Sequence, residues 1–276
     1  METFNFLNFF NDDKPLVKFI WLVVCIAFAW ILEGTYPLFK YNYNKRSHAK
    51  TNFTLLFFTM IINLAFAIFT VGIFDWVARE HIGVLYMVHL PAWANLLITI
   101  MWIDFVAQYF IHYLLHKVPF LWRFHVIHHD DTHLDATSGT RHHPGDFITR
   151  ELFALLACVI IGAPMSYYFF SRFVTIFLTY LTHSNIKIPT WVDKTIGLVF
   201  ITPNMHKFHH HYKLPWTDSN YGNIFSFWDR IFKTLTVDDP SKIRYGLDTL
   251  IREEKNVESV KFQLKLPFIK GIHKKE

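Results

Sequence analysis

FITRELFALLACVIIGAPMSYYFFSRFVTIFLTYL, residues Phe147–Leu181, decides the fold. At 35 residues it is too long for one membrane helix, which takes about 20. Gly162–Ser166 (GAPMS) interrupts it with a glycine and a proline, residues that end helices. The stretch therefore reads as two helices joined by a tight turn, each short for a full crossing. A hairpin returns the chain to the side it left, so the polar segments before and after it share one aqueous face.

Outward from the hairpin, three further apolar runs approach membrane-spanning length. They lie at 16–32 (LVKFIWLVVCIAFAWIL), 53–74 and 88–111. Apolar residues make up 52% of the 276-residue chain, with 30 Phe, 12 Tyr and 9 Trp. That abundance and the scarcity of charge in the runs argue against a soluble helical core. Asp12 and Asp13 precede the first run where a secretory signal would be basic, and no small-residue cleavage site follows, so the run reads as a retained anchor. Cys25 and Cys158 both sit in apolar segments and read as small hydrophobes, not as a disulfide.

Orientation follows from the basic residues. The loop after the first run holds Lys40, Lys45, Arg46 and Lys50, whereas the loop between the second and third offers only Arg79. The positive-inside rule places the first loop in the cytoplasm. Counting crossings, 112–146 and 183–234 lie on that side too, as does the tail with Lys261, Lys265, Lys270, Lys274 and Lys275. The net charge of +5 then reads as attraction to anionic lipid headgroups, with no nucleic acid partner. No repeat or flexible linker divides residues 1–276, which gives a single domain. The expected class is an all-α, multi-pass integral membrane protein: about three membrane helices and a hairpin, capped by cytosolic histidine-rich helices.

The chain has 17 histidines, and three sets have helical spacing. His112 and His116 (HYLLH) are four apart; His125, His128 and His129 (HVIHH) repeat in His206, His209 and His210 (HKFHH). Residues three and four apart share a helix face, so each set presents its imidazoles together. Imidazole suits zinc, copper, iron and nickel. Eight exceed what one tetrahedral site uses, so the count asks for two metals. Asp104 and Gln108 continue the four-residue spacing upstream of His112. An acid in an apolar run is a functional candidate, here as a carboxylate behind a ligand histidine, with snorkelling at the helix end as the alternative. A metal transporter would instead need its ligands near the bilayer midplane.

These motifs resemble the three histidine boxes of the membrane fatty acid hydroxylase/sterol desaturase superfamily, in particular sterol desaturase-like and alkylglycerol monooxygenase-type members. LWRFHVIHHD, RHHP (Arg141–Pro144), THSNI (Thr182–Ile186), TPNMHKFHHH and NYGNIFSFWDRIFKT (Asn220–Thr234) extend the similarity over residues 104–234. The resemblance implies two histidine-bound iron ions at the cytoplasmic membrane face, with dioxygen as co-substrate. The reaction it implies is hydroxylation or desaturation of a lipid C–H bond, with no catalytic side chain beyond the metal centre. It makes His143 and His183 further ligand candidates or hydrogen-bonding groups, and Asn185 and Asn204 supporting or turn-forming ones. His133 and His211 read as solvated, and His48, His81, His89 and His273 carry no assigned role. Asn220–Thr234 reads either as a support for the third box or as plain packing. Residues 235–276 lack ligand pairs for haem or iron–sulfur clusters, so a separate electron-donor protein is expected, with Lys207, Lys213 and Lys242 as docking points. A catalytically inactive lipid-binding relative is the other alternative, but such a relative is expected to lose box residues, and all eight are present.

Overall fold

The computed structural model describes residues 5–10, 15–214, 216–247 and 257–269; Asp12, Asp13, Lys270, His273, Lys274 and Lys275 lie outside them. Among the described residues the architecture is all-helical, and the only strand-like pairings are isolated bridges such as Pro37–Ile186 and Phe200–Phe225. The first apolar run becomes α1 (Pro15–Thr35). The second lies inside a longer α2 (Lys45–Arg79), which begins about two turns early because Asn44 caps it, its side chain accepting from Ser47 N–H. The third becomes α3 (Ala92–Asp104), continuing through a π-turn (Phe105–Phe110) into α4 (Ile111–Lys117). Three helical stretches, Pro15–Thr35, Lys45–Tyr86 and Ala92–Lys117, are long and apolar enough to cross a membrane. Their outer faces are bare hydrocarbon: on α2, Leu64, Ile68 and Phe69 are 66%, 80% and 67% exposed. A soluble protein rarely leaves so large an apolar surface uncovered.

Pro119 starts α5 (Pro119–His129) and holds Val118 extended, which turns the chain sharply out of α4. The hairpin is present as α6 (Pro144–Ile161) and α7 (Met165–His183). Gly162 closes α6 at φ 75°, a left-handed cap open to glycine, and Pro164 leads into α7. This turn packs on the loop after α2, where a Cβ on Gly162 would lie 2.5 Å from Ile82 O. Shorter helices follow: α8 (Thr190–Lys194), α9 (Pro203–His209), α10 (Phe227–Ile231) and α11 (Val260–Lys265).

One apolar core joins α2, α3, the π-turn, α6 and α7 through Phe74, Ile103, Val106, Ala154, Cys158 and Phe169. The bundle has two distinct ends. Gly83 and Gly162 meet at one. At the other, Glu33 near the end of α1 accepts from the backbone N–H of Ala136 and Asn185, and His48 near the start of α2 sits between Asp131 and Asp135. The segments flanking α6 and α7 are thereby tied to the same end of the bundle as the α1–α2 loop.

Gly162→Ala adds a methyl group against Ile82 O at a left-handed φ. The expected loss is about 1–2 kcal/mol, read as a lower denaturation midpoint of the purified protein in detergent. An unchanged midpoint would contradict the turn geometry.

Candidate metal centre

The π-turn sets the geometry of the first histidine pair. Ile111 N–H reaches back to Val106 O, five residues away, so one extra residue rotates α4 by about 100° relative to α3. The continuous face expected for Asp104, Gln108, His112 and His116 is therefore broken. Asp104 instead accepts from Ile224 N–H (3.0 Å), Phe225 N–H (3.2 Å) and Trp228 Nε1–H (3.0 Å). It is buried and anchors the strap that runs from Asp218 to Asp229. Gln108 is half-buried and, among the described residues, has no hydrogen bond to a box histidine.

Nine histidines from α4, α5, α7, α9 and the residue capping α9 converge in two adjoining clusters. The first comprises His112, His116, His125, His129 and His209; the second comprises His128, His183, His206 and His210. In each, one ring nitrogen per residue lies within 4.8 Å of all the others. The clusters abut through His129 and His210, whose rings stack at 4.6 Å. All nine are buried.

Hydrogen bonds behind the rings fix their tautomers. In the first cluster His112 Nδ1–H donates to Tyr221 O (2.9 Å), His116 to Asp218 Oδ1 (3.0 Å), His209 to Ser219 O (2.6 Å) and His125 to Asp146 Oδ2 (3.4 Å). In the second, His128 Nδ1–H donates to Arg141 O (3.2 Å) and His183 to Thr179 O (2.7 Å). Each imidazole so placed carries a bare lone pair on Nε2. Yet His112 Nε2 and His125 Nε2 are 3.1 Å apart, as are His128 Nε2 and His183 Nε2. A neutral pair with both Nδ1 protons already donated has no proton left to share. His129 Nε2 and His210 Nε2 are buried with no hydrogen-bond partner. Burial pushes His125 down to about 4, and His128, His129, His206 and His210 well below the ordinary imidazole value, so protonation does not relieve the contacts. Converging neutral nitrogens with outward Nδ1–H groups are what a metal ion requires. The donor set fits one cation in each cluster.

His183 thus joins the second cluster, but His143 joins neither. Its Nδ1 accepts from Gly145 N–H (2.9 Å) as the N-cap of α6, and its Nε2 faces Leu264 O (3.4 Å). The neighbouring His142 lies against the site instead, stacked on His128 at 4.4 Å and donating to Asp146 (2.6 Å). Asn185 binds the backbone of Phe39 through both ends of its amide, and Asn204 donates to Asp193, so neither supports a histidine. Lys207 is fully buried with Nζ on Ile186 O (2.5 Å), which removes it as a docking point. His133 stacks on Tyr43 and His211 is buried beneath Arg244 N–H, so neither is a freely solvated ring. His48 is buried in the two-carboxylate clamp.

The sequence reading missed Asp146, Asp218, Tyr221 and the carbonyls of Thr179, Arg141 and Ser219. Asp146 had a signal, four residues after His142 on a helix start; carbonyl acceptors have none. Within Asn220–Thr234, the Tyr221 carbonyl meets His112 of the first box and Asn220 donates to Met205 O of α9. Asp229 accepts from Tyr221 and Gly222 N–H, fixing from below the strap that Asp104 fixes from the side.

Three substitutions separate these roles. His143→Ala should keep the full metal content and lose about 1 kcal/mol of stability, the value of an N-cap. His183→Ala should lose metal. Asp146→Asn should weaken metal retention roughly 10–100-fold. Metal analysis after dialysis against a chelator, with thermal denaturation in parallel, reads all three; a metal loss in His143→Ala matching that of His183→Ala would contradict the assignment.

Residues 96–234, just over half of the chain, match the family model described as fatty acid hydroxylase. An ornithine lipid hydroxylase of Rhizobium tropici is 32% identical over 126 residues, 46% of this chain and 37% of that protein. An alkylglycerol monooxygenase of Caenorhabditis elegans is 30% identical over 152 residues, 53% of this chain and 28% of its own. The matched stretch thus spans only about a third of those two relatives. A cholesterol 25-hydroxylase-like protein of Danio rerio is 26% identical over 229 residues, covering 78% of this chain and 87% of its own. No solved structure is significantly similar. With its site, its apolar helices and the family match spanning every box histidine, the chain belongs to the fatty acid hydroxylase family.

Proposed function

We propose that the protein is a membrane-bound diiron oxygenase that uses dioxygen and two electrons from a separate donor protein to hydroxylate an unactivated C–H bond of a lipid. The observation that carries this reading is the pair of abutting clusters, whose Nε2 lone pairs face one another in a buried setting. The relatives' names favour hydroxylation over desaturation, since each is called a hydroxylase or monooxygenase. Iron, when bound, supplies the redox chemistry that inserts one oxygen atom into the C–H bond and releases the other as water.

The ligands proposed for iron are the nine clustered histidines. The protein's own part is positioning and exclusion. Tyr221, Ser219 and Arg141 hold the Nδ1 protons through their carbonyls, and Asp146 and Asp218 through their carboxylates. Tyr221 also lies edge-on to His112, His116 and His209, sealing that side against water. The bundle carries the lipid, and the basic residues Lys40, Lys45, Arg46 and Lys50 support a cytoplasmic location for the histidine end to which their loop is tied. A transport reading finds less support, because both clusters gather at one end of the bundle and no ligand set lies along its axis among the described residues.

Metal analysis of the protein purified in detergent tests the reading. The expected result is about two irons per chain, dropping in His125→Ala and in His206→Ala while the variants still insert in the membrane. Zinc alone, or a full iron complement in both variants, would overturn it. Cysteine labelling at Lys50 and Asp238 should report one side of the membrane and labelling at Glu80 the other; Lys50 and Asp238 on opposite sides would remove the shared site.

A further inference from the structure

The end of the bundle remote from the histidines is apolar on its outside and polar within. On α7, Phe170 and Phe173 pack on the N-terminal turn Asn5–Phe10, and Tyr168 and Arg172 close on Glu151 of α6. The face that remains carries Tyr167 and Ser171, one helical turn apart. Trp21 and Phe28 of α1 cover Phe173 and Phe177, and the other long helix packed on α7 is α3, which buries Asn95. Asn95 and Tyr167 each sit near the start of their helix, beyond the glycine turns, and both helices run from there toward the histidines. These side chains therefore share a level of the bundle.

Three oxygens at that level are unsatisfied. Tyr167 Oη, Ser171 Oγ and Asn95 Oδ1 are buried and have no hydrogen-bond partner, in residues that are 0%, 1% and 3% exposed. A native fold rarely leaves even one such group without water, ligand or a function to account for it. Leaving three at one level of the bundle costs about 1–3 kcal/mol each, and a helix in lipid has no bulk water to offset that cost. Two of them, the hydroxyls, can donate and accept, and the amide oxygen accepts. A partner that donates one hydrogen bond and accepts others satisfies the set, and an uncharged one suits it, because all three groups are neutral and, among the described residues, Arg172 is paired with Glu151 and Lys18 lies on the Phe169 ring.

We infer that Asn95, Tyr167 and Ser171 form a binding site for the hydroxyl group of a lipid whose hydrocarbon lies along α7 toward the histidines. This rests on the proposed lipid oxygenase and deepens it by naming a substrate class: an amphiphile with an uncharged hydroxyl far from the carbon that reacts. Ser171 and Tyr167 precede His183 by 12 and 16 residues on one unbroken helix, about 18 and 24 Å along the axis. The hydroxyl therefore acts as a ruler. It sets which carbon reaches the metal end and leaves polar headgroups with charge outside.

Equilibrium binding to the metal-stripped protein in detergent tests this without reference to turnover, so failure of the oxygenase reading leaves the result intact. The probes are two matched pairs: cholesterol with cholestane, and octadecan-1-ol with octadecane. The wild type should bind the hydroxylated member of at least one pair roughly tenfold more tightly. Preference in the sterol pair alone identifies a rigid sterol, and in the chain pair alone a linear lipid; either supports the site. Tyr167→Phe should lose part of the preference, and Asn95→Leu/Tyr167→Phe/Ser171→Ala should lose it while binding cholestane or octadecane as tightly as before, which shows that the variant is folded. Equal binding within both pairs by the wild type would overturn the inference. So would a preference that survives in the triple variant.

Discussion

The structure depends on one electrostatic constraint: imidazole lone pairs 3.1 Å apart inside a buried helical cap. Such contacts are repulsive unless a cation lies among them, and burial excludes a proton as that cation for the second box. The fold must therefore hold the rings against their own repulsion until metal arrives. It does so with hydrogen bonds behind the rings, each aimed at Nδ1 so that Nε2 faces inward. A ligand histidine with a free Nδ1 would rotate or exchange tautomer; six of the nine are held by a named acceptor.

The source of those acceptors explains the topology. Three belong to the strap of Asp218–Tyr221, one to α6, one to the loop carrying Arg141 and one to α7 itself. Arg141 is fully buried, its guanidinium spread over Ile127 O, Asn52 Oδ1 and Val257 O. It thereby locks the loop between α5 and α6 to α2. His48, clamped between Asp131 and Asp135, repeats that lock one turn away. Breaking either would move a carbonyl that a histidine needs, so distant helices share control of the metal end.

How much of this was legible in the sequence depends on the physical range of each interaction. Apolar run length gave three long helices, and Gly162 with Pro164 gave the hairpin, because bilayer thickness and left-handed φ are local constraints. The box histidines were legible because helical spacing is local too. His183 entered only through a resemblance, and the same resemblance pointed to His143 where the structure uses that residue as a helix cap and places His142 beside the site. The choice between adjacent histidines turns on a cap one residue long, which no periodicity encodes. The π-turn was invisible for a similar reason: it adds a single residue within an otherwise regular apolar pattern, and that residue changed where Asp104 points.

Asp104 shows what an acid in an apolar run is for here. The strap crosses the side of the π-turn, where Ile224 and Phe225 would bury two backbone N–H groups and Trp228 an indole N–H. Each would cost about 1–3 kcal/mol if left unsatisfied. A carboxylate accepts all three through two oxygens, whereas an amide would turn one donor against another. The acid is thus coupled to the metal end without touching it: it holds Ile224 and Phe225, which follow Tyr221 in one short strap, and the Tyr221 carbonyl holds His112. The π-turn makes this possible by rotating α4 away from α3. One helix can then aim a carboxylate at the strap and two imidazoles at the cluster.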